Sequence, residues 1–314
     1  MSLSNVTKSS SNSGMNVSGL RVWRTDWRTL VQTLIVLFKL RVVFLLLMAA
    51  TGGAFMAAGG WPGLGTMILV WVTGGSAAAG ASAWNQYLER NKDGKMGRTH
   101  KRPLVTGAIA NPVWVPYVAT FMIIAPVLAV LPINPSLSFW LFAGAVIYVG
   151  IYTIWLKPRT LLNVVVGGAA GSAAVLSGSA AAGNWASHGA LLLALVLFLW
   201  SPFHFWSLAL LYRDEYARAD VPMLPTQTTP RQAAWWVLSH TLPTGLAGLG
   251  LAAFQPLGLV YFIPMLLITG DLLWRNIRLI LDPSPLYARN MFISSNIYLL
   301  VLILFVCLDS MLPF

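Results

Sequence analysis

Long apolar runs constrain this chain more than anything else in it. Apolar stretches of roughly 20 residues recur from about residue 36 to 311, each long enough to cross a ~30 Å hydrocarbon layer. In lipid every backbone polar group must be satisfied within the protein, so segments of this length must be helices. Only 9% of residues are charged and 57% are hydrophobic, which excludes a soluble domain of this size. The single cysteine, Cys307, excludes internal disulfides and zinc ribbons. The expected fold is an all-α membrane bundle.

Nine runs are expected, at about 36–58, 64–84, 112–132, 137–156, 162–182, 190–211, 234–254, 256–273 and 291–311. They form one transmembrane domain, 36–314, preceded by a tail over 1–35. The first 19 residues, rich in Ser and Asn, are expected to be disordered. Leu20, Trp23, Trp27, Leu30 and Leu34 then recur at helical spacing, with Arg21, Arg24 and Arg28 on another face. That pattern predicts a helix lying in the membrane surface.

Under this count all 20 Lys and Arg residues fall on one side: in the tail, at Lys39 and Arg41, and in the loops after runs two, four, six and eight. Such one-sidedness predicts a cytoplasmic N-terminus and an external C-terminus. The net charge of +11 then belongs to loops facing an anionic leaflet, plus an anionic substrate, with no call for nucleic acid.

The nine carboxylates are distributed very unevenly. Glu89 and Asp93 lie in the polar stretch 85–104 (NQYLERNKDGKMGRTHKRPL), and Asp214, Glu215 and Asp220 in 212–225 (YRDEYARADVPMLP). Acids at the edge of a membrane are costly and mark sites. Asn85, Glu89 and Asp93 are four apart and so climb one helical stripe. Oxygen donors held this way suit Mg²⁺, which takes one or two carboxylates and completes its shell with water and phosphate oxygens. Arg98, Lys101 and Arg102 follow at once, and Arg grips phosphate oxygens in pairs. Asp214 and Glu215 offer a second carboxylate pair, flanked by Arg213 and Arg218, with Lys157 and Arg159 in the loop after run four. Two acidic clusters interleaved with bases on one face point to a diphosphate bridged by metal. The plain alternative is a set of ordinary loops whose charges balance.

Five stretches then carry a resemblance. NxxxExxxDxxMxRTxxRPL at 85–104 resembles the first signature of the UbiA-type intramembrane prenyltransferases. FKLRVV (38–43), YTIWLKPRTLLNVVVGGAAG (152–171), HFWSLALLYRDEYARADVPMLP (204–225) and MFISSNIYLL (291–300) are similar to the protoheme IX farnesyltransferases, the heme O synthases. The resemblance implies a nine-helix bundle that joins the farnesyl group of farnesyl diphosphate to a vinyl group of heme b with addition of water. It implies Mg²⁺ as cofactor, a bacterial cytoplasmic (inner) membrane, and a downstream heme A synthase as a partner.

By motif, Asn85, Glu89 and Asp93 would hold metal and diphosphate beside Arg98 and Arg102. Asp214, Glu215 and Arg218 would form the opposing cluster, with Asp214 as a further metal ligand. Lys157 and Arg159 would bind substrate. The chain departs from the family in having Glu89 for the usual Asp, Asp220 for the usual Gly, and AAVLSG (173–178) for a Pro-rich segment. His204, deep in run six, would face heme as iron ligand or propionate contact; packing against a neighbouring helix is the equal alternative. Three rivals stay open: a prenyltransferase with a quinone-precursor or chlorophyllide acceptor, an ion-coupled transporter, and a heme chaperone. Acids at the membrane edge rather than at its midplane weigh against transport.

Overall fold

The computed structural model describes residues 27–312, and among these no strand occurs. The helices are α1 (Trp27–Leu37), α2 (Leu40–Ala58), α3 (Leu64–Asp93), α4 (Pro103–Thr106), α5 (Trp114–Val130) and α6 (Pro135–Ala145). A π-helical segment, Val146–Leu156, continues α6, and α7 (Asn163–Gly167) and α8 (Ala169–Ala181) follow. Then come α9 (His188–Leu211), α10 (Arg213–Arg218), α11 (Leu224–Gln227), α12 (Pro230–Gly250), α13 (Leu259–Leu281) and α14 (Pro285–Asp309).

A long helical element stands at each of the nine expected runs. Six are both long and apolar enough to cross a membrane: α2, α3, α6 with its π-helical continuation, α7 with α8, α9 and α14. Helix α5 is apolar but has 17 residues, whereas α12 and α13 are long and carry more polar residues. Large apolar side chains such as Val72, Phe121 and Leu267 stand on the outer surface, as a lipid-facing wall requires.

Several boundaries move. The run at 36–58 is broken: α1 ends at Leu37, and Lys39 takes a left-handed conformation (φ 49°) before α2 starts. The Lys39 ammonium bonds inward to Asn85 and Tyr148, which gives a reason for the turn. Helix α13 extends to Leu281 and α14 begins at Pro285. Arg275 and Arg278, expected in a loop, therefore lie on the last turns of α13; the turn is made by Asp282-Pro283-Ser284, where proline ends the helix. Of the expected surface helix at 20–34, residues 20–26 lie outside the described residues, and the rest belongs to α1, whose Trp27 and Leu30 are exposed.

Helices α2 and α8 cross so closely that a Cβ on Gly53 would run into the Val175 backbone, and one on Gly178 into that of Ala50. Small residues permit such approach between membrane helices. The AAVLSG segment supplies one side of this crossing. The main core spreads over α8, α9, α12, α13 and α14, around Phe203, Trp206, Tyr261 and Tyr298.

Candidate active site

Helix α3 outlasts its membrane run and carries the first polar stretch as helix up to Asp93, where Gly94 ends it. Asn85, Glu89 and Asp93 therefore do share one stripe, and each meets a cation or a donor from another part of the chain. Lys39 donates to Asn85 Oδ1 and, at 3.2 Å, to the Tyr148 hydroxyl. The Asn85 amide donates to Thr153 Oγ1 at 3.0 Å. Lys157 pairs with Glu89 at 2.5 Å, and Arg102 with Asp93 at 2.5 Å. Asp93 is buried, and the Thr99 hydroxyl donates to its backbone carbonyl, folding the following loop back onto the helix end.

The opposite wall owes its geometry to the π-helix. Tyr148 and Lys157 are nine residues apart, two and a half turns of an α-helix, which would put them on opposite faces. In the wider π-helix, with its i to i+5 bonding, positions four and five apart become neighbours. Tyr148, Tyr152, Thr153 and Lys157 thus line one face, towards α3. The two tyrosine rings stack at 5.9 Å with an interplanar angle of 10°. Lys39 lies 5.9 Å from the ring centre of Tyr148 and Lys157 lies 5.6 Å from that of Tyr152. Burial works against the Lys157 ammonium, but Tyr152 and then Glu89 beside it more than offset this, so its pKa is raised above that of an ordinary lysine.

The second polar stretch touches the first through Glu215. The backbone N–H of Arg98 donates to Glu215 Oε2 at 3.4 Å, and the Arg98 guanidinium donates to the Tyr216 hydroxyl at 3.5 Å. Gly97 leaves room for this: a Cβ there would stand 3.1 Å from Glu215 Oε1. Lys95 and Asp220 make a second, exposed link at 4.0 Å.

Other expected site residues lie elsewhere. Asp214 and Arg218 are exposed and, with Glu215, line a cavity of about 360 Å³ bordered by Arg213, Pro230 and Pro283. Arg213 is itself committed to the carbonyls of Pro225 and Thr228. Arg159 donates to the carbonyls of Ile154 and Trp155, closing the end of its own helix. His204 lies buried in α9 and bonds Ser295. Lys39, Tyr148 and Thr153 were not expected at the site. Lys39 had a visible signal, an ionisable residue inside an apolar run that it shares with Arg41; the tyrosine and threonine had none, because only the π-helix brings them round.

Among the described residues no three His, Cys, Asp or Glu side chains gather as a ready metal cage. The donors on α3 are an amide oxygen and two carboxylates, each already partnered by a base or donor. Such a set fits Mg²⁺ arriving with phosphate oxygens that complete its shell, and does not fit a metal held by protein alone.

A model of the UbiA prenyltransferase family matches residues 45–300. The chain is 37% identical over 276 residues to protoheme IX farnesyltransferase 2 of Paramagnetospirillum magneticum, covering 88% of this chain and 96% of that one. It is 36% identical over 277 residues to the protoheme IX farnesyltransferase of Metallosphaera sedula, covering 88% and 95%. Among solved structures, digeranylgeranylglyceryl phosphate synthase superposes with a TM-score of 0.73 at 15% identity, covering 88% of this chain and 98% of that chain. A UbiA homolog from Archaeoglobus fulgidus bound to DMAPP and Mg²⁺ gives 0.62 at 15% identity, covering 87% and 99%.

Proposed function

We infer the chemistry from one premise: the chain belongs to the UbiA prenyltransferase family and, within it, to the protoheme IX farnesyltransferases. It is a prenyltransferase that moves the farnesyl group of farnesyl diphosphate onto a vinyl group of heme b with addition of water, giving heme O and diphosphate. The observation that carries the siting of this reaction is the α3 stripe Asn85–Glu89–Asp93 facing Lys39, Lys157 and Arg102.

Farnesyl diphosphate would lie with its phosphates between that stripe and those bases. Asn85, Glu89 and Asp93 would hold Mg²⁺, which supplies charge neutralisation for the leaving group. As the C1–O bond breaks, its electron pair leaves with diphosphate, and Lys39, Lys157, Arg98 and Arg102 stabilise the charge that develops there. The heme vinyl group donates its π electrons to C1, forming the new carbon–carbon bond. Water then adds to the vinyl-derived cation and gives up a proton. Glu215 would fix the Arg98 loop over the diphosphate, and Asp214 and Arg218 would line its approach.

The resident membrane proposed is a bacterial cytoplasmic one, with the polar stretches on the cytoplasmic side. The heme O released suits a downstream heme A synthase. The deciding experiment incubates purified protein with heme b, farnesyl diphosphate and Mg²⁺ and weighs the product. A heme heavier by one farnesyl group and one hydroxyl is expected. Farnesylation of a quinone precursor but not of heme would overturn the acceptor.

A further inference from the structure

Helices α13 and α14 border a further cleft, of about 260 Å³, that the reaction above does not use. It is lined by Asp271, Trp274, Arg275 and Arg278 of α13 and by Tyr287 and Asn290 of α14. Charged side chains along a membrane helix are costly, and they mark a site where pairing does not account for them. Here pairing accounts for only part. Arg275 Nε donates to Asp271 Oδ2 at 2.7 Å, and the Ser294 hydroxyl of α14 donates to the same oxygen at 2.8 Å. The carboxylate is thus fixed from both helices and holds the arginine by one nitrogen. Among the described residues, the terminal amino groups of the Arg275 fork have no other protein partner. The Arg278 guanidinium lies 4.9 Å from the ring centre of Trp274 and, among the described residues, bonds no acceptor. Two arginines against one aspartate leave the cleft one positive charge in excess.

Its place narrows the ligand's chemistry. Trp274, 56% exposed, and Leu281, 70% exposed, stand on the outer wall of α13 beside it, so the cleft opens on lipid. Arg278 and Arg275 precede Leu281, the end of α13, by roughly 5 and 9 Å along the axis at ~1.5 Å per residue. That is headgroup depth, with Trp274 in the aromatic belt. Pro283 and Pro285 of the α13–α14 turn border the cavity of Asp214 and Glu215, which puts the cleft at the same membrane face as the polar stretches. An arginine fork grips phosphate oxygens in pairs, and basic pockets between membrane helices hold anionic headgroups. At about 260 Å³ the cleft is smaller than the ~300–1,000 Å³ of pockets that enclose a whole drug-sized ligand, and suits a headgroup whose tails stay in the bilayer. We propose that it binds the phosphodiester of an anionic phospholipid. Arg278 and the free end of Arg275 take the phosphate oxygens, and Tyr287 and Asn290 donate to the phosphate or its glycerol. One excess positive charge matches one phosphodiester. Asp271, the acid of the cleft, is already engaged and leaves no place for the cation of a zwitterionic headgroup.

The test titrates dioleoyl phosphatidylglycerol or dioleoyl phosphatidylcholine into the purified full-length protein in detergent micelles and counts bound lipid by native mass spectrometry. The wild type is expected to bind the first phosphatidylglycerol about tenfold more tightly than phosphatidylcholine, the worth of one charged hydrogen-bonded contact. Arg278→Gln, at an exposed residue bonded to no protein acceptor, is expected to remove that preference with the melting temperature of the lipid-free protein unchanged. Arg275→Gln should do the same, with a lower melting temperature because Asp271 loses its partner. Arg289→Gln, exposed on α14 and outside the cleft, should keep the preference. Saturating farnesyl diphosphate with Mg²⁺ should leave it unaltered too, because the polar stretches lie apart from the cleft. Equal binding of the two lipids by the wild type, or a full preference in Arg278→Gln, would overturn the site. So would an equal loss in Arg289→Gln, which would mean general surface charge, or displacement by farnesyl diphosphate, which would place the lipid at the polar stretches. Glycerol 3-phosphate displacing the lipid at equal concentration would overturn the lipid as occupant in favour of a soluble phosphate.

Discussion

The two polar stretches look alike as sequence and are opposites as structure. In the first, both acids are enclosed and answered, Asp93 by Arg102 and Glu89 by Lys157, and the Asn85 amide is met by Lys39. In the second, Asp214, Arg218 and Asp220 are exposed, and its contacts with the first are sparse: Glu215 on the Arg98 backbone, the Tyr216 hydroxyl on the Arg98 guanidinium, and the exposed Lys95–Asp220 pair. A charge in an enclosed, low-dielectric place interacts strongly, and one in water is screened. On the proposed reading, the first stretch acts on a diphosphate electrostatically and the second admits it and closes over it.

The largest effect expected from this contrast is at Asp93. Asp93→Asn should lower the rate of heme farnesylation by about 10²–10³, the loss typical of one preorganised electrostatic contact. It would also leave Arg102 without its carboxylate. A steady-state assay at saturating Mg²⁺ measures it; turnover within a few-fold of wild type would erase the distinction between the stretches.

Lys157 gives the next effect, on stability as well as rate. With both side chains largely covered, Lys157→Met strands Glu89 and should cost about 3 kcal/mol, the low end for breaking a buried pair. Adding Glu89→Gln removes the stranded charge, so the double variant should melt closer to wild type than Lys157→Met does. Its activity should not return. A double variant as unstable as the single one would mean that the lysine acts by packing alone.

Why one stretch is enclosed and the other open was only partly legible in the sequence. The four-residue spacing of Asn85, Glu89 and Asp93 foretold a shared stripe because an α-helix fixes it. The isolation of the acids marked both stretches. The partners were hidden because they depend on two local departures from regular helix. Lys39 turns inward at a left-handed residue inside what reads as one apolar run. Tyr148, Tyr152, Thr153 and Lys157 share a face only in a π-helix, and hydrophobicity around Val146–Leu156 has no period that distinguishes it from an α-helix. Asp214 and Arg218 read as equals of Asp93 and Arg102, because sequence spacing does not say which side of a short helix faces the bundle.

The open stretch should respond mildly. Asp214→Asn is expected to lower turnover less than tenfold, with most of the change in KM for farnesyl diphosphate, and the change should shrink as salt is raised. A loss as deep as that of Asp93→Asn, insensitive to salt, would show that Asp214 works alongside the first stretch during the reaction.

Asp220 should give the smallest effect. It takes a left-handed conformation, φ 52°, a backbone region that favours glycine. An L-residue there costs roughly 1–2 kcal/mol, less for Asp, whose side chain tolerates the region. Glycine removes that strain but adds about 0.5–1 kcal/mol of lost chain freedom on folding. The one contact given up is the exposed pair with Lys95, too solvated to add much. Asp220→Gly should therefore leave the melting temperature level or raise it by a few degrees, with turnover unchanged. Thermal unfolding beside the farnesylation assay decides. A clear drop in either would mean that the Lys95–Asp220 link holds the two stretches together, so that the second closes over the first through a side-chain pair as well as through Glu215.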